Sequence, residues 1–125
     1  MADKGDDLTD EVYQAVIMQA EGRTAEAETA FRAVLEKSPA HPDALHFLGL
    51  LQYQKGNADE AVTLIDEAIA ADGDSPIYAV NLGKVLVDLE RLGEAEEAFR
   101  RALRLQPDEA ELHFLLGETL RPRRK

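Results

Sequence analysis

The chain has 125 residues, of which 45% are hydrophobic and 6% aromatic, and its formal net charge is −11 at pH 7. This length predicts a single domain, and the negative charge argues against nucleic acid and anionic membranes as primary partners, because phosphate groups bind to basic surfaces. The absence of cysteine excludes disulfides and thiolate chemistry. No apolar run approaches the roughly 18–20 residues of a membrane span, and the acidic N-terminus lacks a signal peptide's apolar stretch, so a cytoplasmic location is expected.

Apolar residues that recur every three or four positions predict helices joined by short connections rich in glycine and proline. Residues 1–7 are polar and are expected to be disordered, whereas residues 121–125 form a basic tail that cannot continue a helix past Pro122. The connection between the fifth and sixth predicted helices, Glu90-Arg91-Leu92-Gly93, contains a glycine. The seven predicted helices span residues 8–21, 24–37, 43–54, 59–71, 77–89, 94–105 and 109–120.

The sequence repeats itself with a period of about 34 residues, since the pair Leu82-Gly83 recurs as Leu48-Gly49 and as Leu116-Gly117. Further matches in the same register are Ala27, Ala61 and Ala95, Phe31 and Phe99, Ala68 and Ala102, Pro42 and Pro76, and Pro39 and Pro107. A fixed period of this length is typical of stacked helical hairpins, in which no hairpin buries its apolar face alone.

With these residues the chain resembles the tetratricopeptide-repeat family. The resemblance covers three full repeats, residues 8–41, 42–75 and 76–109, and the first helix of a fourth, residues 110–120. The third repeat carries the family pattern at Leu82, Gly83, Ala95, Phe99, Ala102 and Pro107. Departures occur at Gly73 in the second repeat and at Gln14, Ala15 and Val34 in the first. The resemblance implies an all-α fold, a right-handed α-solenoid of stacked antiparallel helix pairs.

Small residues in the first helix of each repeat are expected to let a neighbouring helix approach closely. These residues are Ala15, Gly49, Gly83 and Gly117. The bulky residues of the second helices, Phe31, Ile65 and Phe99, are expected to be wedges between repeats.

The resemblance also implies that the first helices line a concave groove that holds a segment of a partner protein. Helical spacing assigns part of each first helix to the packing face, and the remaining residues form a stripe along the helix that is expected to line this groove. The stripe is rich in apolar side chains, and apolar surface rimmed by polar groups is typical of an interaction site. For Phe47 and Val80, simple packing between neighbouring helices is the alternative. The predicted groove consists of Tyr13, His46, Phe47, Leu50, Tyr53, Asn81, Lys84, Asp88 and Phe114.

Two binding modes of the family match these residues poorly. A clamp for a C-terminal carboxylate needs several Lys, Arg and Asn side chains, and only Lys84 and Asn81 fit. An asparagine ladder for extended peptides would have Asn81 as its single rung. His41 and His46 are five residues apart, off the spacing that places two metal ligands on one helix face. No catalytic motif, metal site or cofactor is predicted.

These observations favour a non-catalytic module, a scaffold or adaptor that binds a peptide or helical segment of another protein. Two alternatives remain open. Leu112, Leu116 and Leu120 lack the helix that would cover them, so two copies of the chain could form a homodimer through this C-terminal helix. The array could also be the recognition arm of a larger enzyme.

Overall fold

The computed structural model describes residues 4–122, with side chains described for residues 8–122. Within this range the chain forms seven α-helices and no strand. The helices are α1 (Lys4–Ala20), α2 (Thr24–Lys37), α3 (Pro42–Gln54), α4 (Ala58–Ala71), α5 (Pro76–Asp88), α6 (Leu92–Leu105) and α7 (Ala110–Leu120). They divide into two compact units, α1 to α4 and α5 to α7, with the boundary between Ala71 and Asp72. The predicted all-α fold of paired helices is confirmed.

The predicted helix boundaries agree with the structure to within two residues, apart from the start of α1. This helix begins at Lys4 rather than at Leu8, because extending an existing helix adds one hydrogen bond for each residue that becomes fixed. Residues 1–3, and residues 123–125 of the basic tail, lie outside the described residues.

The turns between paired helices share a left-handed residue at the same position of each repeat: Gly22 has a φ of 81°, Gly56 of 91° and Glu90 of 59°. Glycine adopts this conformation without the steric penalty that a Cβ brings. Gly93 lies inside α6, so Glu90, rather than the glycine of this connection, makes the third turn.

Phe31 is the centre of the core in the first unit and is fully buried. Its ring stacks on Phe47 of α3, with the ring centroids 6.2 Å apart and the ring planes at 15°. The surrounding buried side chains come from α1, α2 and α3: Val12, Ala15, Ala27, Val34, Ala44, Leu48 and Leu51. Phe31 is thus confirmed as a wedge between the first two repeats.

Two helical glycines allow the second helix of a pair to approach the first. A Cβ at Gly49 would lie 2.9 Å from Cγ1 of Ile65, and one at Gly83 would lie 2.5 Å from Cε1 of Phe99. Neither position accepts a side chain unless its neighbour moves. At Gly117, by contrast, no described atom other than its chain neighbours and its own helix backbone lies within 4 Å of such a Cβ. The expected close approach is wrong there, because none of residues 4–122 forms a second helix beside α7.

The second unit buries one side of α7 against its neighbours. Leu112 is 1% exposed and packs with Ala79 and Val80 of α5 and Ala102 of α6. It therefore belongs to the core and cannot take part in the predicted homodimer contact.

Candidate functional site

His46, a predicted groove residue, is only 3% exposed. Val12 and Val80, which hold the same position in the preceding and the following repeat, are 5% and 7% exposed. The shared register explains this burial, because the same position of each first helix meets the same kind of helix packing. His46 is therefore a core residue rather than a groove residue, and simple packing is also the correct interpretation for Val80.

Burial changes the protonation of His46. Its imidazole lies against the ring of Phe47, with centroids 5.0 Å apart. Loss of hydration lowers the pKa of His46 to about 4, while the negative charge of Asp43 acts in the opposite direction. Because burial disfavours the charged form, His46 is neutral at pH 7.

This lowered pKa predicts that His46 makes the fold sensitive to acid. Between pH 7 and pH 5 the unfolded chain, with an ordinary histidine pKa, takes up a proton that the folded chain does not bind, so stability falls as the pH falls. The two pKa values correspond to a loss of about 2 kcal/mol over this range. We expect His46→Val, which installs the residue found at positions 12 and 80, to remove this loss. Urea unfolding of both proteins at pH 7 and pH 5 measures the difference, and an identical pH dependence would contradict the prediction.

The other predicted groove residues of the first unit lie on a face formed by α1 and α3. Nε2 of Gln19 donates a hydrogen bond to Oε1 of Gln54 at 3.0 Å, which places the C-terminal ends of these two helices side by side. We call the exposed part of this surface the apolar face. It consists of Tyr13, Val16, Phe47, Leu50 and Tyr53.

The apolar face stays accessible after the helices have packed. Phe47, Leu50 and Tyr53 are each half-buried, and Tyr13 is 64% exposed. Phe47 is both a packing residue and a surface residue, since its ring stacks on Phe31 and still contributes to the accessible surface. Accessible apolar side chains grouped on two neighbouring helices are typical of an interaction site.

In the second unit, α5 and α7 line an open cleft with a volume of about 690 Å³. We call it the charged cleft. Its lining includes Lys84, Val87 and Asp88 of α5, Phe99 of α6, and Leu115, Glu118 and Thr119 of α7, followed by Arg121 and Pro122. Lys84 and Asp88 were predicted as groove residues from the sequence, and both are exposed.

Two further predicted residues lie on the same helices, with Asn81 half-buried on α5 and Phe114 65% exposed on α7. Leu115 was not predicted as a groove residue, although it holds the position of Asn81 in the following repeat. The repeat register was therefore the signal that would have identified it.

The charged cleft carries both signs of charge. Lys84 supplies a cation and Asp88 an anion, and Nη2 of Arg121 pairs with Oε1 of Glu118 at 2.5 Å. Such a cleft suits a polar ligand with charges of both signs better than a strongly anionic group, because each ligand charge would also meet one of its own sign.

The other two histidines each have a ring nitrogen close to a backbone group. Nδ1 of His41 accepts a hydrogen bond from the backbone N–H of Ala44 at 3.2 Å, which caps α3, and Nε2 of His113 lies 2.9 Å from the carbonyl oxygen of Pro107. Among the residues that the structure describes, no three His, Asp or Glu side chains are grouped so as to hold a metal ion. No helix in this part of the chain has the length and apolar composition needed to cross a bilayer.

Comparisons with known proteins agree with this geometry. Models of the tetratricopeptide repeat match residues 18–84 and 80–125. Among curated proteins, cellulose synthase operon protein C of Pseudomonas fluorescens is 32% identical over 100 residues, which are 74% of this chain and 8% of that protein. The chain thus spans less than a tenth of this relative's length.

Solved structures with the same fold include an enzyme and a peptide-binding domain. An O-GlcNAc transferase of Thermobaculum terrenum matches with a TM-score of 0.82 and 32% identity, over 96% of this chain and 23% of the transferase chain. The first tetratricopeptide domain of Spaghetti (RPAP3), bound to an HSP90 peptide, matches with a TM-score of 0.82 over 90% of this chain and 89% of that chain. At 17% identity, this second likeness shows the fold alone. Because its helix pairs recur at a constant spacing and family models match both of its halves, this protein belongs to the tetratricopeptide-repeat family.

Proposed function

We propose that this protein is a non-catalytic interaction module that binds a peptide or helical segment of a partner protein on the exposed surface of its first helices. The observation that carries the proposal is the apolar face, where Phe47, Leu50 and Tyr53 remain half-buried after the fold is complete. The Spaghetti domain, which shares the fold and holds an HSP90 peptide, supports a peptide as the kind of ligand.

The apolar face offers anchors of low entropic cost. Aromatic side chains supply a large contact area with few rotatable bonds, which is why tyrosine is frequent among residues that dominate binding energy. Phe47 is already held by its stacking on Phe31, so a ligand does not have to order this ring. Tyr13, Leu50 and Tyr53 would provide the remaining apolar contacts.

The charged cleft of the second unit would by itself offer polar contacts to a bound segment. Asn81 offers an amide, Lys84 a cation and Asp88 an anion along α5. A segment with side chains of both signs would satisfy them, whereas an isolated C-terminal carboxylate would meet a single lysine of α5 beside Asp88 and Glu118.

We predict that Leu50→Asp combined with Tyr53→Ala abolishes this binding. The double change removes two central apolar contacts and puts a charge on the apolar face, so the affinity should fall by about 100-fold or more. The probe is a peptide selected on the wild-type protein from a phage-displayed library, and its dissociation constant is measured by calorimetry. Circular dichroism should show unchanged helical content, because both side chains are half-buried rather than core residues.

Leu105→Asp is the matched control. It introduces the same charge at a leucine that is 37% exposed on α6, outside both the apolar face and the charged cleft, and it should leave the affinity unchanged. The proposal fails if the double variant binds the selected peptide as tightly as the wild-type protein does.

A homodimer through the C-terminal helix is a second candidate. It is favoured by Leu120, which is 49% exposed, and by the half-buried Leu116, although Leu112 is unavailable. Sedimentation velocity across the micromolar range tests it, and a monomer at every concentration would eliminate it.

The chain could also serve as the recognition arm of a larger enzyme. The observation in favour is that its likeness to the O-GlcNAc transferase covers 23% of that chain. In that case the apolar face would bind a protein substrate and the chemistry would take place elsewhere.

A further inference from the structure

One face of α7 is exposed although the same face of α5 is buried. Leu86 of α5 is 2% exposed, whereas Leu120 of α7, its equivalent in the following repeat, is 49% exposed. Gly83 is buried, and its equivalent Gly117 is exposed. We call the surface made by Leu116, Gly117 and Leu120 the uncovered face of α7.

Two of the complete helix pairs, α3 with α4 and α5 with α6, show what kind of side chain covers such a face. Cγ1 of Ile65 in α4 would lie 2.9 Å from a Cβ at Gly49, and Cε1 of Phe99 in α6 would lie 2.5 Å from one at Gly83. Each of these bulky residues is flanked by fully buried alanines, one turn before it and one turn after it, at Ala61, Ala68, Ala95 and Ala102. The surroundings of Gly117 are open, so they have room for a helix with this alanine–bulky–alanine pattern.

Arg100 of α6 adds charge complementarity beside the uncovered face. In the first unit, Nη2 of Arg32 lies 3.0 Å from Glu28 of its own helix and 3.5 Å from Glu60 of α4. Arg100, in the same register two repeats later, pairs with Glu96 of its own helix at 3.0 Å and remains exposed. A helix that docks beside α7 as α4 docks beside α3 would bring the position equivalent to Glu60 next to Arg100, where a carboxylate would pair with it.

The distribution of charge along the chain points in the same direction. Residues 1–99 carry 7 cations and 21 anions, whereas the described residues 100–122 carry 4 cations and 4 anions. An acidic segment would thus meet less repulsion beside α7 than along the rest of the chain.

We propose that the uncovered face of α7 binds an acidic amphipathic helix of a partner protein, in the position that α4 takes beside α3. The bound helix inserts a bulky apolar residue against Gly117 and contacts Leu116 and Leu120 with its apolar side. This inference does not rest on the proposed function, because it uses a different surface from the apolar face and the charged cleft.

The test uses a synthetic peptide with the sequence of α4, residues 58–71, labelled for fluorescence anisotropy. An isolated helix of this length is marginal in water and must order as it binds, so we expect saturable binding with a micromolar dissociation constant. A peptide with Ile65→Asp should bind at least ten-fold more weakly, because the residue that would contact Gly117 becomes charged.

The decisive variant of the protein is Gly117→Leu. Its side chain enters open space in the free protein, where no described atom other than its chain neighbours and its own helix backbone lies within 4 Å of the Cβ position. In the complex it would occupy the volume that the inserted residue of the peptide requires. The variant should fold normally and lose at least ten-fold in affinity for the α4 peptide. Gly93→Leu, another helical glycine with nothing within 4 Å, is the matched control and should bind like the wild-type protein.

Three results would overturn the proposal. The first is the absence of saturable binding to the wild-type protein. The second is an affinity that Gly117→Leu leaves unchanged, since the peptide would then lie elsewhere. The third is sedimentation of the wild-type protein as a dimer that Gly117→Leu converts to a monomer, because a second copy of the chain would then be the occupant of this face.

Discussion

Replacing Phe99 with alanine is expected to lower the free energy of unfolding by about 3–5 kcal/mol, the usual cost of removing a buried phenylalanine ring. Phe99 is 1% exposed, and its ring fills the space above Gly83, where Cε1, Cζ and Cδ1 would lie 2.5, 2.7 and 2.8 Å from a Cβ. Because glycine has no side chain that could replace the lost ring atoms, the alanine variant leaves a cavity between α5 and α6. Urea unfolding followed by circular dichroism measures the change.

Two controls separate this cavity effect from general damage. Phe99→Leu keeps most of the volume and should cost clearly less than the alanine variant. Arg104→Ala, at an exposed position of the same helix, should stay within about 0.5 kcal/mol of the wild-type protein. A similarly small loss for Phe99→Ala would show that the ring is not the element that joins α5 to α6.

The second large effect is expected for Gly83→Leu. The first carbon of the new side chain would already lie 2.5 Å from the Phe99 ring, and the remaining carbons have no room, so α6 must move away. Overpacking of this kind costs about 3 kcal/mol, at the upper end of the usual range. Thermal and urea unfolding should both show the loss.

Gly117→Leu is the internal control for this prediction, since it makes the same substitution in the same repeat register. Its surroundings are open, and leucine is a better helix former than glycine by roughly 0.8 kcal/mol. The variant should therefore be as stable as the wild-type protein or slightly more stable. Equal losses at positions 83 and 117 would contradict the prediction, because the loss at position 83 could then not be attributed to close packing against Phe99.

Most helix ends were predictable because local chemistry sets them. Both ends of α2, Thr24 and Lys37, agree with the prediction, since a glycine turn precedes the helix and Ser38-Pro39 follows it. The start of α1 was not predictable, because no glycine or proline interrupts the chain between Gly5 and Leu8 and the polar composition alone does not stop a helix. The third turn also escaped prediction, since the left-handed residue is Glu90, a residue type that rarely adopts this conformation.

The candidate site was predictable in part. Leu50, Tyr53, Lys84 and Asp88 lie on accessible surface as the helical spacing indicates, because the side of a helix that a residue faces follows from its position. His46 was misplaced, since a polar residue in a first-helix stripe suggests exposure. Its position in the repeat, which it shares with the buried Val12 and Val80, sets its burial in spite of its polar side chain.

The sequence by itself determined the family, the period and the pairing of the helices, because these follow from local propensity and from the spacing of small and bulky residues along the chain. Only the tertiary structure decided which faces are covered. Gly83 and Gly117 each follow a leucine inside a helix. Gly83 is packed under the ring of Phe99, whereas a Cβ at Gly117 would meet no side chain or backbone from another described helix within 4 Å. The exposure of a side chain depends on which helices pack against it rather than on its neighbours in the chain. Only the tertiary structure therefore distinguishes the core histidine, the apolar face and the uncovered face of α7.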